Sequence, residues 1–317
     1  MALMYTDLHT DFILTTIRSV LEQGINASQS LPLGIESYPI SEYLLQSIFL
    51  RMTGASEQKM KCIFWQMATD DVEYRYKYLG YQNLGECSSY FSKNTAFRDL
   101  LAQITKLRPN FDVNSIWDDY KFDITTIAME RSKWETKVKA NKQKQIDSIK
   151  QRRIDVGRPM NQSEIDEMTA GIMGKALKEE DFQNHLSSNK RRARIAQVLE
   201  ELFQLMANTN FEVWRASDLS NYHKYCQKII KGSEVAENKD LFHGTLVGLY
   251  DNLVYLHRNR IAHNTVVYQK NKPAIETLSA KNYYLSNYFF RFAIILVMDE
   301  VFNRLYKVYR EVYSSKV

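Results

Sequence analysis

Residues 279–313 read SAKNYYLSNYFFRFAIILVMDEVFNRLYKVYREVY, a stretch that neither proline nor glycine interrupts. Such a run predicts one long helix, Ser279 to Tyr313, aromatic and amphipathic. The whole chain of 317 residues has only 5 prolines and 11 glycines. That is too little punctuation for a many-stranded protein, so the expected class is all-α. At 44 % hydrophobic residues the chain can bury one large core or two smaller ones, and needs no disulfide or metal staple to fold.

Upstream, Leu246, Leu249, Leu253 and Leu256 recur at helical steps, predicting a helix from Leu241 to about Arg260. Leu8, Phe12, Ile13, Ile17 and Val20 predict another from Tyr5 to about Gln23. Ser41 stands as an N-cap for a short helix that Gly54 ends, and Ser56 caps the next, Glu57 to Thr69. The latter buries Met60, Ile63, Phe64 and Met67, with Glu57, Lys59 and Lys61 on other faces. Further helices are expected over Thr95–Leu107, Ile116–Met129, Ala193–Asn208 and Ser217–Ile230.

Charge is unevenly distributed. Between Arg131 and Arg158 there are ten Lys or Arg against three Asp or Glu, and Lys190, Arg191, Arg192 and Arg194 bring this part to about +11. With a total of +5, the remainder is acidic by about 6. Gly157-Arg158-Pro159 breaks one helix, and Asn161 begins another with Glu164 as its capping-box partner. The expected organisation is an N-terminal helical part (1–130), a basic helical hairpin inserted at 131–195, and a C-terminal helical part (196–317).

Residues Leu256 to Asn264 read LHRNRIAHN, placing Arg258, Asn259 and His263 where one helix gives way to a loop before the last. This R-N-x-x-x-H string resembles the R-x4-6-H motif of HEPN ribonucleases, found in prokaryotic toxins, abortive-infection proteins and RNA-guided CRISPR effectors. The clearer part of the resemblance covers Asn238 to Val317, and a weaker echo lies in Ser41 to Arg75. It implies a HEPN-like helical bundle with a charged helical insertion, and an RNA endonuclease of prokaryotic defence or toxin type.

The chemistry the resemblance implies is transesterification: the ribose 2′-OH attacks the adjacent phosphorus and the 5′-oxygen leaves, with no metal and no cofactor. His263 suits the proton transfers, because an unperturbed imidazole titrates near 6.5. Arg258 offers a planar, permanently charged fork for the phosphorane oxygens. Asn259 either orients the histidine or bonds a phosphate oxygen, and Arg260 holds RNA backbone. Lys61 and Glu57 are candidate substrate contacts if the N-terminal helices meet the last two. Lys190, Arg191 and Arg192 are candidates through the basic insertion, which either grips phosphates, docks a partner or is simply solvated.

One histidine cannot readily be both acid and base on opposite sides of a phosphorus, so a site shared by a homodimer is expected, as in the family. The partners implied are RNA, a second copy, and an antitoxin or a guide or regulatory RNA or protein. A catalytically silent HEPN module that binds RNA or a partner is the alternative, and a helical adaptor with an accidental motif the second.

Other features have plainer readings. Glu42, Glu57, Lys59 and Lys61 are expected to be solvated charges. His257, about 100° from Arg258 on a helix, is expected to pack or meet solvent rather than share the chemistry. Tyr283, Tyr284, Tyr288, Phe289, Phe290 and Phe292 are expected to form core or, by preference, a dimer interface. His9, His185, His223 and His243 lack ligand-spaced partners, so no metal site is expected. Cys62, Cys87 and Cys226 are widely spaced, which fits a reducing compartment. The acidic N-terminus and the absence of an uninterrupted apolar run lead to an expectation of a cytoplasmic protein without a membrane segment.

Overall fold

The computed structural model describes residues 8–32, 35–80, 87–207, 209–211, 229–237, 239–263 and 288–315. The fold is all-α: among the described residues the only strands are β1 (Val235–Glu237) and β2 (Asp240–Phe242), paired antiparallel with Val235 opposite Phe242. Among the described residues the helices before this hairpin are α1 (Leu8–Leu14), α2 (Arg18–Ser28), α3 (Tyr38–Asp70), α4 (Val72–Leu79), α5 (Tyr90–Leu107), α6 (Ile124–Asp155), α7 (Gln162–Met173) and α8 (Glu179–Met206). After it come α9 (Thr245–Leu249), a π turn (Tyr250–Tyr255), α10 (Leu256–His263) and α11 (Tyr288–Ser314). Among the described residues no helix is long and apolar enough to cross a membrane.

The chain forms two compact units, one of Met1–Ile116 with Arg192–Val317 and one of Trp117–Arg191. In the first, α11 is the central element and packs against α1, α3 and α5. Every residue from Tyr288 to Asp299 is buried, so this half of α11 is enclosed on all sides, and only the later turns are amphipathic. Tyr288, Phe289, Phe290 and Phe292 are at most 1 % exposed within the single chain. The preferred reading of this run as a dimer interface is therefore corrected to core; Tyr283 and Tyr284 lie outside the described residues.

In the second unit Trp134, Phe182 and Leu186 form a small core with Phe122, Ile127 and Val138 around it. The Arg131 guanidinium lies over the Phe182 ring, 4.0 Å from its centroid, and pairs with Glu179 at 2.7 Å. Asn161 and Glu164 form the reciprocal capping box that opens α7. Gly157, at φ +69°, supplies the left-handed residue just beyond α6.

Several expected boundaries shift for physical reasons. Tyr5–Gln23 is not one helix: α1 ends at Leu14, and Ile17 turns its N–H away to donate to Asp299 Oδ2 at 2.8 Å. Gly54 does not end a helix, because α3 runs unbroken for 33 residues with Ser37 as N-cap and a proline in its first turn. Ser41 and Ser56 are buried within α3 rather than capping anything. Ile116–Met129 is a short 310 turn followed by α6, which Asp123 caps by accepting the Thr126 N–H. The helix expected from Leu241 begins only at Thr245. Glu234 there accepts the Leu246 N–H at 3.0 Å and the Thr245 hydroxyl at 2.8 Å, while Gly244 makes the turn at φ +61°. Ser217–Ile230 falls mostly outside the described residues, as do 279–287 of the last helix and Asn264 of the motif.

Candidate functional site

The π turn just before α10 sets the site's geometry. It takes one more residue per turn than an α-helix and so advances the buried face by one position. Leu246, Tyr250, Leu253, Val254 and His257 are buried, whereas Leu256, the last of the expected apolar stripe, is 41 % exposed. The expectation that Leu256 faces the core is corrected accordingly.

His257 occupies the core position instead. Its Nε2 lies 3.2 Å from the Tyr288 hydroxyl, and its ring packs against Phe49 with centroids 5.1 Å apart. Burial, with Arg291 and Arg260 nearby, drives its pKa down to about 2. It is a neutral packing residue.

One step further on, Arg258 reaches α3. Its Nη2 donates to Glu57 Oε2 at 3.4 Å, and its Nη1 donates to Asn259 Oδ1 at 3.1 Å. Glu57 also pairs with Lys61 at 3.2 Å, one turn along the same helix. The first and last parts of the chain thus meet, bringing Glu57 and Lys61 to the arginine of the motif. Asn259 engages the arginine.

Glu57, Arg258, Ser56, Ser88, Lys93 and Tyr250 are among the residues lining a narrow niche of about 10 Å³, room for one water. Lys93, on α5, went unnoticed in the sequence. It is 2 % exposed, donates to the Cys87 carbonyl at 2.5 Å, and lies 6.0 Å from the Tyr250 ring centroid. Burial lowers its pKa to about 8, with Cys87 and Glu57 opposing the shift. No motif surrounds Lys93, whose neighbours are Ser92 and Asn94, and its place on the helical face of Ala96, Phe97 and Leu100 was the one available signal.

His263 is the last residue of α10 and is exposed. It makes no hydrogen bond or ion pair with another described residue. Five residues along an α-helix set two side chains about 140° apart in azimuth and about 7.5 Å apart in rise. Arg258 and His263 therefore point in different directions from one helix.

The remaining candidates differ in availability. Arg260 is exposed. Lys190 pairs with Asp118 at 3.0 Å within the second unit. Arg191 is 1 % exposed, so its guanidinium is withdrawn from the basic surface, whereas Arg192 is exposed. Lys59 and Glu42, expected to be solvated, are instead 1 % and 3 % exposed. Lys59 crosses to α11, where it pairs with Asp299 at 2.5 Å and donates to Asn303 at 2.9 Å. Among the described residues no group of three or more His, Cys, Asp or Glu side chains could hold a metal ion.

A scan against protein-family models found no match, and neither did searches of curated proteins and of solved structures.

Proposed function

We propose that the chain is a metal-independent RNA endonuclease of HEPN type, acting through a site that two copies complete. The observation that carries this reading is the contrast between the motif's two ends. Arg258 is held by Glu57 from a distant helix, while His263 stands exposed and unengaged by any described residue five positions on. Because the two side chains diverge, a phosphate held by one copy's Arg258 is served by the partner copy's histidine.

In the reaction, a base removes the proton of the ribose 2′-OH as its oxygen bonds to phosphorus. The bond from phosphorus to the 5′-oxygen breaks, that oxygen takes up a proton, and a 2′,3′-cyclic phosphate remains. The nucleophile belongs to the RNA itself, so no activated water is required. His263 carries the proton transfers and Arg258 the charge that grows on the phosphorane oxygens. A role in prokaryotic defence or as a toxin in the cytoplasm, under the control of an antitoxin or regulatory RNA, follows from the resemblance.

One observation favours a second reading, a silent HEPN module that binds RNA or a partner: Arg258 is already engaged by both Glu57 and Asn259. Labelled RNA incubated in EDTA with the unaltered protein and with His263→Ala separates the two. Cleavage by the unaltered protein alone, leaving a 2′,3′-cyclic phosphate, establishes the nuclease. RNA retention without cleavage by either protein establishes the binding module.

A further inference from the structure

We propose that the exposed edge of α3 is a track for single-stranded RNA, on which the Trp65 indole stacks against a base while Arg51 and Lys61 attract the backbone. That the strand is RNA rests on the nuclease reading above, whereas the track itself rests on the surface of α3.

The second half of α3 is almost wholly enclosed. From Lys59 to Ala68 every residue is buried except Lys61, which is partly exposed, and Trp65, which is 60 % exposed. At 3.6 residues per turn, Arg51, Gln58, Lys61 and Trp65 fall within about 80° of azimuth on the helix. Solvent therefore reaches this part of α3 along one narrow strip that runs with its axis.

The charge of that strip contrasts with the chain around it. Arg51, Gly54, Gln58, Trp65 and Thr69 are exposed, and none is acidic. Glu57 is the one acidic residue between Tyr43 and Thr69. It lies at the margin of the strip with 17 % of its side-chain surface accessible, and Arg258 and Lys61 both engage it. Outside the basic insertion the chain is acidic by about 6, yet here two cations flank an aromatic with no exposed carboxylate among them. Arg51 makes no hydrogen bond or ion pair with another described residue.

A single exposed apolar side chain needs no ligand to explain it, although tryptophan is on average highly buried. What distinguishes Trp65 is its setting. Lys61 stands one turn before it, with Cβ atoms about 5–6 Å apart, and the Glu57 contact to Arg258 lies one turn further back. Long side chains on a helix lean toward its N-terminus, so the indole is directed along the strip toward Lys61. Phe64 stacks on Tyr78 with centroids 5.3 Å apart, and Arg75 donates to the Ala68 carbonyl at 2.7 Å. These contacts fix α4 beside this stretch of α3 and give the platform a rigid support.

The strip fits a nucleic-acid strand better than a protein surface. Every base presents a π face, so one aromatic suffices to hold it, and cations along the same groove follow the phosphates. A stable protein interface takes about 800 Å² from each partner around an apolar centre, which a strip one side chain wide, with Gly54, Gln58 and Thr69 in it, does not offer. From Glu57 to Trp65 the helix rises about 12 Å. A base stacked on Trp65 therefore belongs to the stretch of RNA beside the phosphate that Arg258 serves.

Anisotropy of a labelled single-stranded RNA on the full chain tests this, in a His263→Ala parent that keeps the RNA intact. Trp65→Ala is expected to weaken binding on the order of tenfold, and Trp65→Phe, which keeps a ring, to weaken it less. RNA quenches the parent's tryptophan emission, and most of that quenching disappears in Trp65→Phe, because Trp117 and Trp134 are buried. Arg51→Gln weakens binding alike for all sequences and lowers the slope of log affinity against log salt by about 0.7. An abasic ribose-phosphate oligomer binds the parent and Trp65→Ala equally. Both substituted positions are exposed, so the variants fold.

No RNA binding by the parent, equal RNA affinity in Trp65→Ala, or an abasic oligomer as sensitive to Trp65→Ala as RNA is, overturns the track. Loss of self-association in Trp65→Ala at unchanged RNA affinity assigns the strip to a second copy and overturns it too. The nuclease reading fails separately. Trp65-dependent RNA binding by a protein that never cleaves RNA, even with His263 in place, sinks that reading and leaves the track standing. Cleavage whose KM and kcat do not change in Trp65→Ala does the reverse.

Discussion

The Arg258 guanidinium meets the Glu57 carboxylate at 3.4 Å although 201 positions separate them in the chain. This contact is what turns a short motif near the C-terminus into a site with walls. It joins α10 to the middle of the longest helix of the first unit, beside Lys61 and the buried Lys93.

Replacing Glu57 by Gln removes the charge that holds Arg258 while keeping the side chain's shape. The pair is partly exposed, so global stability changes by less than about 1 kcal/mol. On the proposed nuclease reading, RNA binding tightens modestly as a negative charge leaves the neighbourhood of Arg258. Single-turnover cleavage falls on the order of tenfold, because the arginine is no longer positioned. Binding and cleavage measured on the same preparation check this; a parallel fall in both would reduce Glu57 to structural support.

Gly54 sits at an exposed position in the middle of α3, and a Cβ added there meets no atom within 4 Å. Gly54→Ala therefore stabilises the protein by about 1 kcal/mol, the difference in helix propensity between the two residues. A urea midpoint raised at unchanged slope is the expected outcome. A lowered midpoint would mean that the helix bends at this glycine in solution.

The same glycine shows where the sequence could and could not be read. Scarce proline and glycine made the all-α class legible, and the spacing of Asn161 and Glu164 made the start of α7 legible, since both signals are local. Gly54 misled because its cost of about 1 kcal/mol is small beside the burial of Phe49, Met52, Met60 and Ile63 on either side of it. The π turn was hidden because an extra residue in one turn leaves the leucine spacing intact and changes only which residue faces inward. Lys93 was hidden because its significance lies wholly in what surrounds it, namely a carboxylate on α3 and a guanidinium on α10. The divergence of Arg258 and His263 likewise became visible only once α10 was seen to continue through the histidine.

Lys59 and Asp299, each with 2 % of its side-chain surface exposed, form an ion pair within the core of the first unit. Burial pushes the lysine's pKa down and the aspartate's up, each partly offset by the other's charge. Lys59→Met leaves a buried carboxylate without a cation, and the expected loss is about 3–5 kcal/mol. Adding Asp299→Asn retains an acceptor for the Ile17 N–H, now bonded at 2.8 Å, and removes the stranded charge. The double variant is therefore more stable than Lys59→Met alone, which denaturant unfolding of the two checks. Equal stability would show that the aspartate is protonated once its partner is gone.

His257 makes the fold sensitive to acid. Its folded-state pKa is about 2, against about 6.5 for an unfolded imidazole, so below pH 6.5 the unfolded chain binds a proton that the folded chain refuses. The stability this histidine contributes is complete above pH 6.5 and declines as pH falls from there toward 2. Linkage puts the loss at roughly 2 kcal/mol between pH 7 and pH 5. His257→Phe keeps the ring contacts with Phe49 and Tyr288 but has no proton to gain. It sacrifices the hydrogen bond to the Tyr288 hydroxyl, so it begins less stable at pH 7. Its unfolding free energy then falls less steeply than that of the unaltered protein between pH 7 and pH 5. Parallel pH slopes for the two proteins would mean that His257 gains its proton in the folded state as readily as in the unfolded one, and that the ring is not sealed from water.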